Sequence, residues 1–488
     1  MSRAPETITL RNGLAVRRIV TGLWQMADQE RDGKPFDLDK AAEAMAEYAR
    51  AGFDTFDMAD HYGSAEIVAG MVHKSLREAG ETPPTILTKW CPAPGEMSLG
   101  RVREGVETAL KRLDLDRIDL MQLHWWQYHS PDYLDALTHL MRLREEGLIG
   151  DIGLTNFDAA HLRLVLKQGI DVVSNQVCFS LLDRRAAGAL SEVADHYRVK
   201  LLGFGTLCGG FLSDKWVGKP EPADIPDWSG MKYKRFVDWA GGWQPFQELL
   251  GTLSTVAKKH GVSVANVASR FVLDHASVGA VIVGARLGER EHRQDNLKVL
   301  DLTFDDADRA AIARVVEGLK PIPGDCGDEY RKEPFLTASG DLSDHLESLP
   351  AVHRVEPVPL RPDRQRSDSG SPWEAAAGFS RGVRVGDSIV VSGTTATDPS
   401  GDCVCPNDPE GQAVYILDKI IATVIALGGR PEDIIRTRIY MCDTSKWEPV
   451  ANMHRRYFDG IFPVNTLIGI SDIVGPYEIE IEAEAKLS

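Results

Sequence analysis

The chain of 488 residues contains no run of about 18 uncharged apolar residues, so no membrane-spanning helix is expected. Its first residues, Met1-Ser-Arg-Ala-Pro-Glu6, hold no apolar signal core, which leads to the expectation of a cytoplasmic protein. Positive charge is in deficit: 55 Lys and Arg face 72 Asp and Glu, for a net charge of −17. Such a field repels phosphate backbones and anionic lipid, so neither nucleic acid nor a membrane surface is an expected partner. Cysteine is scarce and scattered. The seven residues are an odd number, and Cys403 with Cys405 form a lone C-x-C without the paired spacing of a metal site. Reduced thiols and no bound metal are expected. Also missing is G-x-G-x-x-G after the first β-rich run, the loop with which a doubly wound sheet would cradle a dinucleotide.

What is present is alternation. With 43% hydrophobic residues the chain can bury large cores, and its length exceeds what one core usually supports. Apolar β-rich runs recur at Arg18–Gly22, Phe53–Asp57, Ile86–Lys89, Arg117–His124, Asp151–Thr155, Val172–Gln176, Val199–Phe204 and Val281–Gly284. Helical patterns lie between most of them. Leu38, Ala41, Met45 and Tyr48 follow a period of 3.6, and Gly52 stands where a left-handed stop belongs. This alternation predicts a closed (β/α)8 barrel in the α/β class. Residues 213–248, with Trp216, Trp228, Trp239 and Trp243 among Gly and Pro, read as a structured lid.

Near residue 320 the pattern breaks into a stretch rich in Pro, Asp, Ser and Arg. The expected organisation is a barrel over 1–325, a linker over 326–352 and a smaller α+β domain over 353–488. In the last, Val383–Val385 and Ile389–Val391 flank Gly386-Asp387 as a hairpin, and Val414, Leu417, Ile421, Val424 and Leu427 mark a long helix stopped by Gly428-Gly429. Strand Ile434–Tyr440, a helix around Val450–Phe458 and strand Glu478–Ala485 complete it.

The expected strand ends carry a reactive set. Asp57, Lys89 and His124 end successive strands, and Tyr62 follows five residues after Asp57. Hydride transfer to a carbonyl leaves an alkoxide that must take up a proton. A phenol is an acid but a poor base near pH 7, and a neighbouring ammonium stabilises its anion. Tyr62 is therefore assigned as proton donor, Lys89 as its tuner, Asp57 as the anchor of Lys89, and His124 as the group that orients the substrate oxygen. Any one of these alone reads better as a solvated strand end, a helix cap or a core histidine. Four together at the carboxyl end of one barrel read as a site.

These residues resemble the aldo-keto reductase family over about residues 15–320. Gly52-Phe-Asp-Thr-Phe-Asp-Met-Ala-Asp-His-Tyr-Gly63 looks like its first signature, and Ile86-Leu-Thr-Lys89 and Leu123-His124-Trp125 resemble the strand ends that supply its lysine and histidine. The resemblance implies that Thr155, Asn156 and Gln176 hold a nicotinamide carboxamide, and that Phe204 stacks on its ring. Gly205, Thr206, Leu207 and Gly209 then follow the pyrophosphate, and Gly22, Trp24 and Gly284 are also expected to contact the cofactor. NADPH bound in an extended pose is implied.

At the adenosine end the chain departs from that family's lysine–serine pattern. Gly284 and Ala285 occupy those positions, and Asn296 comes two residues late. Arg286, Arg290 and Arg293 crowd the segment instead; an arginine fork suits a 2′-phosphate, so NADPH is expected over NADH, held by Arg286 and Arg290. Trp24, Trp90, Trp125 and Trp126 all lie at or just beyond strand ends. They are expected to wall a pocket for a planar, apolar carbonyl or imine, with Trp24, Trp125 and Trp90 as substrate contacts.

The last domain resembles the Rid family (reactive intermediate deaminases) in Ser392-Gly-Thr-Thr, Asp398, Gln412, Leu427-Gly-Gly, Tyr457-Phe458, Pro463 and Glu480-Ile-Glu-Ala. The resemblance implies a trimer. Active imine-hydrolysing members carry an arginine two residues after the proline, where this chain has Asn465, while Glu480 is retained. The expected protein is an NADPH-dependent carbonyl reductase that assembles as a homo-oligomer through its last domain. The alternatives are a bifunctional reductase and imine or enamine hydrolase, or a non-catalytic nucleotide-sensing protein.

Overall fold

The computed structural model describes residues 5–27, 37–93, 95–225, 227–288, 292–331 and 351–487. A short hairpin, β1 (Thr7–Thr9) and β2 (Ala15–Arg17), leads into eight parallel strands: β3 (Ile19–Gly22), β4 (Thr55–Asp57), β5 (Thr85–Trp90), β6 (Ile118–His124), β7 (Ile149–Thr155), β8 (Ser174–Cys178), β9 (Lys200–Phe204) and β10 (Val278–Gly284). They close in that order, with β10 hydrogen-bonded to both β9 and β3. This is the (β/α)8 barrel read from the sequence, with strand limits displaced by a few residues.

The helices earn their place by amphipathicity. Leu38–Arg50 buries Ala41, Met45, Ala46, Tyr48 and Ala49, and the Asp37 side chain caps its start by accepting from the Lys40 N–H. Phe53 and Phe56 beside it are fully buried, each stabilising the fold by roughly 1.5–3 kcal/mol. The lid segment contains a helix, Trp228–Trp239, whose Tyr233 packs on the loop after β9. Gly205 (φ +71°) and Gly209 (φ +62°) lie so close to Tyr233 and the Ser229 carbonyl that a Cβ at either would collide.

The C-terminal unit is a seven-stranded sheet: β11 (Arg354–Val358), β12 (Arg361–Asp368), β13 (Gly382–Val385), β14 (Ser388–Thr394), β15 (Ile434–Met441), β16 (Val464–Gly469) and β17 (Ile479–Lys486). Its order is β11-β12-β13-β14-β17-β15-β16, and only β15 and β16 pair in parallel. The helices Pro409–Ala426 and Trp447–Phe458 pack together on this unit, the first also against β14 and β17. The hairpin β11–β12 and strand β16 carry no β-strand pattern in the sequence. Arg361-Pro-Asp-Arg-Gln-Arg-Ser-Asp368 looks like a loop by composition, but its backbone pairs on both sides while most of its side chains stay near solvent. Part of the expected linker, 332–350, lies outside the described residues. The turn of helix Asp328–Arg331, which the linker expectation includes, instead packs into the barrel mouth.

The two units meet across a charged seam. The His161 ring lies 2.9 Å from Asp158 Oδ1 on one side and 2.8 Å from Asp418 Oδ2, on the long C-terminal helix, on the other. Arg456 pairs with both Asp158 (3.0 Å) and Asp325 (2.8 Å), and Arg163 forks onto Asp408. Asp158 caps the helix that follows Asn156-Phe157, so this seam abuts the loop after β7.

Candidate functional site

Asp57 is the last residue of β4, Lys89 the penultimate residue of β5 and His124 the last of β6, so parallel pairing delivers all three to one end of the barrel. Lys89 Nζ donates to Asp57 Oδ2 at 2.7 Å and to the Met58 carbonyl at 3.0 Å. The amides of Gln122 (3.0 Å) and Gln176 (2.7 Å) both donate to the other oxygen, Asp57 Oδ1. Asp57 and Lys89 are only 3% and 2% exposed, so their charges are largely withdrawn from water and held by one another. A buried ion pair adds little net stability against an apolar substitute; its value is geometric.

Tyr62 sits in the turn after β4, with its ring centroid 4.8 Å from Lys89 Nζ. The edge of Trp24 meets it at 5.0 Å and His61 at 4.8 Å. The His124 ring lies 3.6 Å from Cys91 Sγ through Nδ1 and 3.4 Å from Asn156 Nδ2 through Nε2. Tyr330, from the helical turn beyond the barrel, presses edge-on against His124 at 5.3 Å. Arg331 fastens that turn to the Asn156 and Trp125 carbonyls, and Glu329 is ion-paired with Arg185 at 2.8 Å.

A cavity of about 850 Å³ opens over these groups. It is lined by Trp24, Tyr62, Lys89, His124 and Tyr330, by Phe204, Gly205, Thr206, Leu207 and Gly209, and by Gly22, Gly284, Arg286 and Asn296. Asp57, Thr155, Asn156 and Gln176 also face it. Asn156 adopts a left-handed backbone (φ 59°) at the end of β7, a strained position that turns its side chain toward His124. Among the described residues, Thr155 Oγ1, Asn156 Oδ1 and Gln25 Oε1 are buried without a hydrogen-bond partner, and all three residues line the cavity.

Two expected substrate contacts lie elsewhere. Trp125 is fully buried: its indole N–H donates to the Gln127 and Ser130 carbonyls and its ring packs toward Tyr133, outside the cavity. Trp90 lies beneath the helix Leu99–Leu113, where Gly105 leaves room for its indole. Both corrections have one cause. Alternate side chains at a barrel strand end point inward and outward, and these two point out into the helix layer. Trp126 is also buried, against His124 at 4.4 Å. Arg293 turns to the first long helix, over the Tyr48 ring at 4.7 Å, and Arg290 lies outside the described residues.

Gln122, Gln25, Lys232 and Tyr330 were missed. Gln122 was readable, since it lies two residues before His124 on one strand and so shares its face. Gln25, Lys232 and Tyr330 arrive from loops, the lid and the tail, and leave no periodic signal.

Comparison with known proteins bears on this geometry. The chain is 32% identical over 179 residues to Flagellar radial spoke protein 5 of Chlamydomonas reinhardtii, covering 32% of this chain and 33% of that one. Against Protein tas of Escherichia coli the identity is 29%, covering 38% of this chain and 58% of the relative. The chain thus spans less than two thirds of these relatives' length. Pyridoxal reductase of Arabidopsis thaliana is 26% identical over 303 residues, covering 59% of this chain and 80% of that one. In structure, a glycerol dehydrogenase from Gluconobacter oxydans superposes with a TM-score of 0.54 at 21% identity, over 65% of this chain and 97% of its own, which speaks to the fold. Residues 370–487 match the Endoribonuclease L-PSP model and residues 18–317 the model of the Aldo/keto reductase family. With more than half of its length in the second match, the chain belongs to the aldo/keto reductase family and carries an Endoribonuclease L-PSP domain behind the barrel.

Proposed function

We propose that the barrel reduces an apolar or aromatic carbonyl compound with NADPH, with Tyr62 as proton donor. The observation that carries this reading is the buried Asp57–Lys89 pair beneath Tyr62, beside unpartnered polar atoms on Thr155, Asn156 and Gln25. The atoms on Thr155 and Asn156 fit the carboxamide of a nicotinamide, which offers both a donor and an acceptor, while Gln25 stands across the mouth beside Gly284. A reduced nicotinamide, when bound, supplies the hydride.

The rest falls to the chain's own groups. Tyr62 gives its hydroxyl proton to the substrate oxygen, and the nearby Lys89 ammonium favours the phenolate left behind. Asp57 fixes Lys89, and the amides of Gln122 and Gln176 fix Asp57. His124 orients the substrate oxygen. Arg286 holds the 2′-phosphate, which selects NADPH over NADH. Trp24, Phe204 and Tyr330 supply apolar walls for a planar substrate. The aldehyde, ketone or imine class is set by an NADPH-oxidation screen across aromatic aldehydes, ketones and cyclic imines. Turnover of at least one class is expected; tight NADPH binding with no oxidation of any would overturn the reductase reading in favour of a nucleotide sensor.

The C-terminal domain is proposed as a scaffold that trimerises the chain. The outer face of its sheet exposes Val390, Ile435, Val464 and Ile468, more apolar surface than a solvated face needs. Asn465, at the position where a substrate-binding arginine would stand, donates instead to Thr437 Oγ1 at 2.9 Å. Light scattering on the full chain checks the assembly, and a monomer would refute it.

A further inference from the structure

The lid helix Trp228–Trp239 sends one charged side chain into the catalytic cavity. Lys232 lines it, and its Nζ donates to Tyr330 Oη at 2.6 Å. Aromatic rings surround that ammonium, with Tyr330 at 4.5 Å, Phe204 at 5.2 Å and Tyr233 at 5.5 Å. Among the described residues it has no carboxylate partner. Two residues on, Lys234 behaves as surface lysines do and pairs with both Glu221 and Asp238 at 2.6 Å. A half-buried cation served only by a phenol and ring faces is left short of counter-charge, because cation–π contacts recover only part of what water or a carboxylate supplies.

Its location says which ligand would bring that charge. Tyr330 lies between Lys232 and the His124 ring, and Phe204 packs beside Lys232 and the cluster that holds Tyr330. The ammonium is therefore one aromatic ring away from the imidazole, at the reacting end of the cavity. Arg286 and Asn296, where a cofactor phosphate is proposed, belong to the segment after β10.

We propose that Lys232 and Tyr330 form an anion subsite, and that the substrate is an aromatic carbonyl compound carrying a carboxylate about one ring's width from its carbonyl. This rests on the reductase reading for the carbonyl end only. The lid carries the cation and the tail carries the phenol, so the subsite is complete only when both close on the barrel.

The test uses the full chain loaded with NADP⁺ and a matched pair of probes, 4-carboxybenzaldehyde and its uncharged methyl ester, with affinities read by calorimetry. The wild type should bind the acid at least about tenfold more tightly than the ester, the scale of a hydrogen bond to a charged group. Lys232→Met should remove that preference, Lys232→Arg should keep it, and Tyr330→Phe should reduce it in part; for the two Lys232 variants the NADP⁺ affinity should stay unchanged and the ester should lose far less than the acid. A wild type without acid preference, or equal loss of acid and ester in Lys232→Met, would sink the proposal. So would a loss confined to NADP⁺ affinity, which would assign the cation to a cofactor phosphate. Failure of the reductase reading looks different: the acid binds with its preference intact, but NADPH is not oxidised.

Discussion

The barrel mouth and the polar groups around Asn465 in the C-terminal sheet both carry buried hydrogen-bonding side chains and use them differently. At the mouth, Asp57, Lys89, Gln122 and Gln176 bond to one another in a buried ring, while Thr155, Asn156 and Gln25 keep polar atoms unpartnered toward open volume. Around Asn465 and Arg381 in the C-terminal domain the groups close on themselves, while Ser367 Oγ and Ser371 Oγ of the same domain are buried without a partner among the described residues and away from the mouth cavity. Asn465 donates to Thr437, Thr437 lies 2.7 Å from His454, and Arg381 is taken up by Glu374, the Gly393 carbonyl and Thr394. At the mouth the unmade hydrogen bonds face open volume that a ligand can fill, whereas around Asn465 they are completed within the protein.

The sharpest way to break that comparison is at Tyr62. Tyr62→Phe should lower kcat by at least about a hundredfold, the low end of general-acid effects, while NADPH affinity by fluorescence titration stays the same. Retained turnover would mean that the mouth does not work as described. The seam comes next. Arg456→Ala leaves Asp158 and Asp325 without their shared cation and should destabilise the chain by about 3 kcal/mol, seen as a drop of several degrees in the thermal midpoint. Because Asp158 caps the helix after Asn156, kcat should fall as well; a change in midpoint alone would show that the loop is held independently.

Arg286→Ala should weaken NADPH by about tenfold or more and NADH little, measured as the ratio of dissociation constants. Equal losses would remove Arg286 from the 2′-phosphate.

Protonation distinguishes the seam from the interior behind it. Burial, with the Arg381 charge, pushes the Lys419 amine down to about 7. The unfolded value is about 10.4, so between the two the unfolded chain holds a proton that the folded chain does not, and stability rises with pH across that window. Lys419→Met should flatten this rise in urea unfolding at pH 7 and pH 9. At His161 burial lowers the value, but the Asp158 and Asp418 carboxylates outweigh it and hold the imidazole above its usual range. Its stabilisation is fully present below about 6.5 and fades as pH rises through the raised value, the opposite slope. His161→Gln should therefore cost more at pH 6 than at pH 9. The smallest effect is expected at Asn465, where Ala should leave reductase kcat within about twofold.

Much of the site was legible because strand ends in a parallel barrel converge by rule. Once Asp57, Lys89 and His124 were placed at the ends of successive strands, their meeting followed from register alone. The tryptophans show where that logic stops. Trp90 and Trp125 also lie at strand ends, but a shift of one residue along a strand reverses the direction of a side chain, and both point into the helix layer. Strand β12 was obscured for a different reason: backbone pairing stabilises it, and its charged side chains near solvent carry no alternation to read.

The order of strands and helices, the acidic charge balance, the change of composition near residue 320 and the tyrosine–lysine–histidine set are properties of the chain, because periodicity and spacing are local. What only the tertiary structure decided is which distant segments complete the mouth. Lys232 from the lid meets Tyr330 from the tail 98 residues on, and His161 meets Asp418 across 257, and such pairings depend on how packed surfaces fit in space, which no local pattern encodes.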